Sequence, residues 1–227
     1  MPSIELTPSA RRAHRAAAHH LEPVVMIGND GLTDAVVMEA DTALKAHGLI
    51  KIRAAGEDRA ARELAEYSGV PVYNGLTDEA HPTQALADFM TMREFTHKHL
   101  SDMAVVFMGD VGNNVARSLA LGAVKLGMDM RLCGPKELWP ERPFLDQLEQ
   151  AAGVARGKIS MGTDLGIALS GADFVYTDVW LSMGEPKEKW AERIQLLRPY
   201  RVTEDVMPMT CNAHTKFMHC LPAFHNR

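Results

Sequence analysis

The chain has 227 residues, of which 46% are hydrophobic and 23% charged, close to the averages of globular proteins. This composition excludes a disordered, collagen-like or coiled-coil chain, and the length suggests one or two domains. The formal charge of −5 argues against a strongly basic nucleic-acid-binding protein. No apolar run approaches the roughly 18 residues of a membrane span, so no membrane association is expected. Three cysteines without a Cys-x-x-Cys pair predict a reduced, cytoplasmic protein.

The first 64 residues predict a small lobe with the element order αβαβα. Thr7 is a candidate N-cap for the first helix, and Gly48 is placed to end the second helix. The strands are short apolar runs, as expected where a strand is buried. The predicted elements are a helix over 9–20, a strand over 23–27, a helix over 33–46, a strand over 49–53 and a helix over 57–68.

From residue 101 onwards, short apolar runs alternate with helical stretches. This alternation predicts an α/β fold with a parallel, doubly wound sheet, which binds ligands at the carboxyl ends of its strands. We expect residues 65–100, with a helix over 81–96, to connect the lobe (1–64) to this domain (101–227). The predicted strands are 104–108, 130–133, 158–161, 174–177 and 216–219, and the predicted helices are 114–126, 143–154, 165–170 and 187–197.

A turn of the form Gly-x-x-Gly joins the first predicted strand to the second predicted helix, and consists of Gly28, Asn29, Asp30 and Gly31. Two glycines let a loop pass close to a phosphate backbone, and the helix N-terminus that follows favours anions. Loops of this form clamp nucleotides in KH-type domains. The same residues also suit an ordinary turn, so the motif alone leaves both interpretations open.

The segment His81-Pro82-Thr83-Gln84 begins a predicted helix. An imidazole and an amide at a helix N-terminus could hold a phosphate or polarise a carbonyl group. The alternative is a helix start with a surface histidine.

The turn 109–114 follows a buried strand, where a doubly wound sheet binds its ligand. It does not fit Gly-x-Gly-x-x-Gly, so a dinucleotide is not predicted.

Asp178 follows another predicted strand, and its carboxylate could bind the ammonium group of an amino acid, while the backbone near Ser182 and Met183 binds the carboxylate. The alternative is that Asp178 caps a helix. The segment His219-Cys220-Leu221-Pro222 ends the last predicted strand.

A thiol at Cys220 could be a nucleophile, a thiolate partner or a small buried apolar group. A zinc site is a further alternative, but the spacing of the candidate ligands matches no standard structural zinc site. These candidates are Cys211, His214, His219, Cys220 and His225. No metal is therefore predicted.

The lobe resembles the CRM domain, a family of small bacterial ribosome-associated proteins and organelle splicing factors with a KH-like Gly-x-x-Gly loop. The resemblance covers about residues 4–63 and does not extend to the family's final strand region, so the lobe is expected to be truncated. It implies RNA as a partner. The implied RNA-binding residues are Gly28, Asn29, Asp30, Gly31, Lys51 and Arg53.

The later motifs, taken together and in order, resemble ornithine carbamoyltransferases over about residues 64–227. They are the segments 70–79, 81–84, 109–114, 178–184 and 219–222. The resemblance implies a Rossmann-like sheet and two substrates, ornithine and carbamoyl phosphate. The implied contacts are His81, Gln84, Cys220 and Leu221 with carbamoyl phosphate, and Asn114, Asp178, Ser182 and Met183 with ornithine. Asp178 and Cys220 are the implied catalytic residues.

The reaction implied by the family is direct attack of the ornithine δ-amine on the carbamoyl carbon, with phosphate leaving and no cofactor. It produces citrulline, in arginine biosynthesis or urea-cycle chemistry. The family's Ser-Thr-Arg-Thr phosphate loop occurs nowhere in this sequence. A family arginine on a helix after the His-Cys-Leu-Pro segment also has no counterpart. The sequence therefore predicts an ornithine-binding half without most of the phosphate-binding half.

Three hypotheses follow. The chain is a carbamoyltransferase that needs another chain for its phosphate contacts, an RNA-binding protein that uses the loop 28–31, or a fusion product with neither activity. Family members form trimers through the domain that is not recognised here, so a homo-oligomer is left open.

Overall fold

The computed structural model describes residues 7, 9–10, 13, 17, 21–27, 33–54, 58–67, 72–181 and 190–223. The chain divides into two compact units, Met1–Ala80 and His81–Arg227. No helix in these ranges has the length and apolar composition that a membrane span requires.

In residues 21–27, 33–54 and 58–67, the first unit forms two parallel strands and two helices. The strands are β1 (Pro23–Ile27) and β2 (Lys51–Ala54), which pair with each other. The helices are α1 (Asp34–His47) and α2 (Asp58–Tyr67). Of the predicted helix over 9–20, only four residues are described, and all four are helical.

The ends of α1 follow standard capping chemistry. The hydroxyl of Thr33 accepts a hydrogen bond from the Val36 N–H at 3.4 Å. Gly48 adopts φ 69°, which a side chain would disfavour, and its N–H bonds the Leu44 carbonyl. Thr7 accepts from the Ala10 N–H at 3.3 Å, as predicted for an N-cap. β2 begins at Lys51 rather than 49, because the two residues after Gly48 complete the reversal of the chain.

The second unit is a parallel, doubly wound α/β sheet, as the sequence predicted. Its strands are β3 (Ala104–Met108), β4 (Asp129–Cys133), β5 (Lys158–Gly162), β6 (Phe174–Thr177) and β7 (Lys216–His219). Its helices are α3 (Pro82–Glu94), α4 (Asn114–Lys125), α5 (Arg142–Ala155), α6 (Leu165–Leu169) and α7 (Trp190–Leu197). The strand order is β5-β4-β3-β6-β7, and every pair is parallel.

The apolar core lies on both faces of this sheet. All residues of β3 are buried, and successive side chains point to opposite faces. Val105 and Phe107 pack with the residues of α3, α4 and α5, whereas Val106 and Met108 pack with those of α6. A central parallel strand is therefore apolar along its whole length, which made it recognisable in the sequence.

Helix α3 is shorter than the predicted helix over 81–96. The N–H of Phe95 still bonds the Thr91 carbonyl, but the hydroxyl of Thr96 then accepts from the Lys98 N–H and the chain turns. Of the predicted helix over 187–197, the part before Trp190 lies outside the described residues.

Candidate active site

The candidate site lies at the carboxyl ends of the central strands. The chain moves from β3 outwards to β5 and then returns to β6 on the other side of β3, so the order reverses between β3 and β6. Open α/β sheets bind their ligands in the crevice at this reversal. Asp110 follows β3, Asp178 follows β6 and Cys220 follows β7, so all three reach the same edge.

The carboxylate of Asp178 is held by donors from three directions. The thiol of Cys220 donates to Oδ1 at 3.0 Å, and the amide of Asn113 donates to Oδ2 at 3.1 Å. The N–H of Val179 also donates to Oδ1, at 2.7 Å. These bonds fix the orientation of a half-buried anion in the crevice, where it can bind a ligand ammonium group.

Cys220 is a neutral hydrogen-bond donor in this arrangement. Its side chain is 7% exposed. Burial raises the pKa of the thiol far above its ordinary value, and the hydrogen bond to Asp178 raises it further. A protonated thiol is a poor nucleophile, so the structure favours a binding role over covalent catalysis.

His81 and Gln84 occupy the start of α3. The backbone N–H of His81 donates to the Ser118 hydroxyl at 2.7 Å, which joins α3 to α4. The side chain of His81 makes no capping bond, and its buried Nδ1 has no hydrogen-bond partner among the described residues. The amide of Gln84 donates to the buried carboxylate of Asp88 at 3.0 Å.

Two buried groups below the site have shifted pKa values. Asp88 is 5% exposed, and burial raises the pKa of its carboxyl group, an effect that the Gln84 hydrogen bond opposes. Burial raises the pKa of Tyr176 strongly, and nearby Asp88 and Cys220 raise it further. Both side chains are therefore uncharged donors or acceptors across a wider pH range than usual.

The loops around the crevice are fixed by contacts that the sequence did not reveal. Asp110 forms an ion pair with Arg193 of α7 at 2.9 Å. The hydroxyl of Thr177 donates to the Met108 carbonyl at 2.8 Å. Gly109 adopts φ 116°, a left-handed value that explains why glycine follows β3.

A metal ion would find three donors here. A carboxylate oxygen of Asp178, a ring nitrogen of His219 and the sulfur of Cys220 lie within 4.8 Å of one another. This oxygen, nitrogen and sulfur set suits zinc, although the Cys220 proton would have to leave. Cys211 is an exposed free thiol outside this group.

The other site residues that the two family resemblances imply lie partly within and partly outside the described residues. Leu221 lies just after β7 and is 86% exposed, next to a cis peptide bond with Pro222. Lys51 is exposed on β2, and Arg53 belongs to the same strand. The implied residues outside the described ranges are Ser182, Met183, Gly28, Asn29, Asp30 and Gly31.

Of the two adjacent asparagines, Asn113 makes the contact with Asp178, whereas Asn114 is the first residue of α4. Asn113 also caps the helix, because its Oδ1 accepts from the Ala116 N–H at 2.8 Å. The contact of Asn114 with ornithine, which the family resemblance implies, stays a prediction. The N-cap preference for asparagine just before a helix was the signal for Asn113.

We expect the two roles of Asn113 to separate on substitution. Asn113→Ala removes both the cap and the Asp178 contact, and should lower the free energy of unfolding by about 1 kcal/mol. Asn113→Ser keeps a capping oxygen and should restore most of this stability without restoring the contact. Urea unfolding of the three proteins checks the prediction, and equal stability of the alanine and serine variants would contradict it.

The geometry thus defines a class: doubly wound α/β domains that bind a small polar ligand where the strand order reverses. Residues 101–227 match the family described as "Aspartate/ornithine carbamoyltransferase, Asp/Orn binding domain". The chain belongs to this carbamoyltransferase family, as the motifs predicted. Residues 6–72 match the CRS1 / YhbY (CRM) domain, in agreement with the resemblance of the lobe.

Individual relatives support the same assignment. A catabolic ornithine carbamoyltransferase from Haemophilus influenzae is 54% identical over 165 residues, which are 73% of this chain and 49% of that protein. An ornithine carbamoyltransferase from Neisseria subflava is 51% identical over 178 residues, which are 78% of this chain and 76% of that protein. The ornithine carbamoyltransferase structure from Pyrococcus furiosus has a TM-score of 0.73 at 38% identity, covering 82% of this chain and 59% of that one. The chain therefore spans about half the length of the Haemophilus relative.

Proposed function

We propose that the second unit binds ornithine and contributes the ornithine half of a carbamoyl transfer reaction, in which carbamoyl phosphate and ornithine give citrulline and phosphate. The observation that carries the proposal is the Asp178 carboxylate, held by Cys220 and Asn113 in the crevice between β3 and β6. Arginine biosynthesis and a cytoplasmic location are further parts of this proposal.

In the proposed reaction, the neutral δ-amine forms a bond to the carbamoyl carbon as the bond to the phosphate oxygen breaks. The leaving phosphate carries away the bonding electron pair and takes up the proton that the amine loses. Asp178 and Cys220 orient the amino acid, and the neutral thiol keeps a second negative charge away from the incoming phosphate. Orientation, rather than covalent catalysis, is the contribution of these residues.

Binding of carbamoyl phosphate requires more contacts than the residues assigned to it in this chain provide. A dianionic phosphate is usually held by backbone N–H groups and arginines. His81 and Gln84 contribute an imidazole and an amide, and the sequence contains no Ser-Thr-Arg-Thr segment. We therefore propose that turnover takes place only when another chain supplies phosphate contacts.

Calorimetric titration with L-ornithine tests the first part of this proposal. We expect saturable binding to the purified chain and none to the double variant Asp178→Ala, Cys220→Ala. Citrulline formation with both substrates tests the second part, and we expect none above that variant. Absence of ornithine binding would overturn the proposed function, whereas turnover by the chain alone would overturn only the need for a second chain.

RNA binding by the first unit is a second candidate function, favoured by the match of residues 6–72 to the CRM domain. Lys51 is an exposed cation on β2, in the region that the resemblance assigns to RNA. Its ammonium group would neutralise one phosphate and release a counterion.

Lys51→Ala should weaken binding of a single-stranded RNA oligonucleotide and reduce the slope of log K against log salt by roughly 0.7. Lys45→Ala is the matched control, since Lys45 is also exposed but pairs with Asp41 on α1. Fluorescence anisotropy at several salt concentrations measures both slopes. An identical slope for the wild type and both variants would exclude Lys51 from an RNA interface.

A further inference from the structure

Three buried polar atoms below the candidate site have no hydrogen-bond partner among the described residues: His81 Nδ1, one carboxylate oxygen of Asp88 and the Tyr176 hydroxyl. Buried polar groups are nearly always hydrogen-bonded, and leaving one unpaired is costly. His81 and Tyr176 both influence the pKa of Asp88, so the three groups lie near one another and form a buried polar cluster.

The three side chains converge from two elements. His81 is the N-cap residue of α3, and Asp88 lies within the helix, on the face that also carries Ala85 and Met92. That face is buried, because Ala85 and Phe89 pack into the same core cluster as Tyr176 and Cys220. Tyr176 reaches the cluster from β6, where its ring stacks on Phe107 with centroids 5.6 Å apart.

The cluster adjoins the residues that hold the candidate ligand. Tyr176 and Cys220 belong to the same core cluster, and Tyr176 pairs with Met218 of β7, two positions before Cys220. Asp88 and Cys220 also both raise the pKa of Tyr176, as expected of groups that lie near its hydroxyl. The Cys220 thiol in turn donates a hydrogen bond to Asp178. Tyr176 therefore lies near both the buried Asp88 and the Cys220 thiol, although its hydroxyl makes no direct hydrogen bond to either.

We propose that Asp88 is a positioning residue, which acts through Tyr176 to hold the Cys220 thiol on Asp178. This inference rests on the proposed function only for its ornithine readout. One internal water bonded to His81 Nδ1, Asp88 and Tyr176 would give each of these atoms a partner, and three bonds are usual for such a water. Gln84 holds the other oxygen of Asp88, so the carboxyl group has a fixed orientation.

The infrared S–H stretching band of Cys220 tests the proposal without requiring activity. The band is assigned by its loss in Cys220→Ser, and its frequency reports the hydrogen bond to Asp178. We expect both Asp88→Asn and Tyr176→Phe to shift it. Asp88→Asn should cause no additional shift in a Tyr176→Phe background, because its effect passes through that hydroxyl.

Asp173→Asn is the matched control. Asp173 is also a buried carboxylate, but it lies at the amino end of β6 and holds Lys98 and the Ala104 N–H. This variant should lower the melting temperature and leave the Cys220 band unchanged. An unshifted band in Asp88→Asn, or an equal shift with and without the Tyr176 hydroxyl, would overturn the proposal.

Ornithine affinity provides the second readout. Asp88→Asn should weaken binding by roughly 2-fold to 100-fold, the range of coupling within side-chain networks. Restoration of the affinity by Asp88→Glu would support the requirement for a carboxyl group at this position. If the wild-type chain binds no ornithine, the proposed function fails, and the infrared band still decides the role of Asp88.

Discussion

Asp178→Ala is expected to weaken ornithine binding by roughly 30-fold to several thousand-fold, which corresponds to about 2–5 kcal/mol for removing one partner of a buried charge pair. The substitution removes the anion of the crevice and also leaves the Cys220 thiol and the Asn113 amide without their acceptor. Calorimetric titration measures the loss.

A carboxylate at the opposite end of the sheet supplies the control. Asp129 begins β4 and pairs with Arg131 at 2.7 Å, away from the carboxyl edge. Asp129→Ala should change ornithine affinity less than twofold, because surface and partly exposed ion pairs contribute little. Equal losses in the two variants would show that the Asp178 effect comes from stability rather than from ligand contact.

Gly134→Ala is expected to lower the free energy of unfolding by about 3 kcal/mol, at the upper end for overpacking. Gly134 follows β4, and a Cβ atom there would overlap the carbonyl oxygen of Gly109, which follows β3. Neither backbone can yield easily, since the Gly134 N–H also bonds the Gly162 carbonyl at 3.2 Å. We expect ornithine affinity to fall as well, because the loop after β3 lines the crevice.

Gly153→Ala is the opposite case and the matched control. Gly153 lies within α5, and an added Cβ atom would have no neighbour within 4 Å. Alanine is a better helix former, so this variant should be more stable by about 0.5–1 kcal/mol. Urea unfolding of both variants measures the contrast, and similar changes of the same sign would refute the proposed clash.

The central strands could be predicted from the sequence because burial on both faces produces apolar runs. β3 and β6 begin and end at the predicted residues. The position of Asp178 after β6 followed from the same reasoning, because a doubly wound sheet brings the carboxyl ends of its strands to one edge. The Cys220 contact with Asp178 depends on the order of strands, which the sequence pattern alone does not reveal.

The buried polar cluster was not predicted, since a carboxylate within a helix usually faces solvent. The sequence pattern did indicate the burial of Asp88, because Ala85, Phe89 and Met92 mark the apolar face of α3 and Asp88 lies on that face. Tyr176 was missed for a similar reason, because a tyrosine in an apolar strand is ordinarily interpreted as core. Long-range pairs such as Asp110 with Arg193 require the folded chain.

The position of β7 at the margin of the sheet has a consequence for dynamics. It pairs only with β6 in the described sheet, and Phe217 on it is 51% exposed. Terminal strands of this kind open by local unfolding at a lower free energy than the strands in the centre. Opening β7 would carry Cys220 away from Asp178 while β3 and β6 stay folded. A ligand that contacts both groups would therefore slow amide hydrogen exchange along Lys216–His219. The exchange rate of β7 would then report how much of the protein has ligand bound in the crevice.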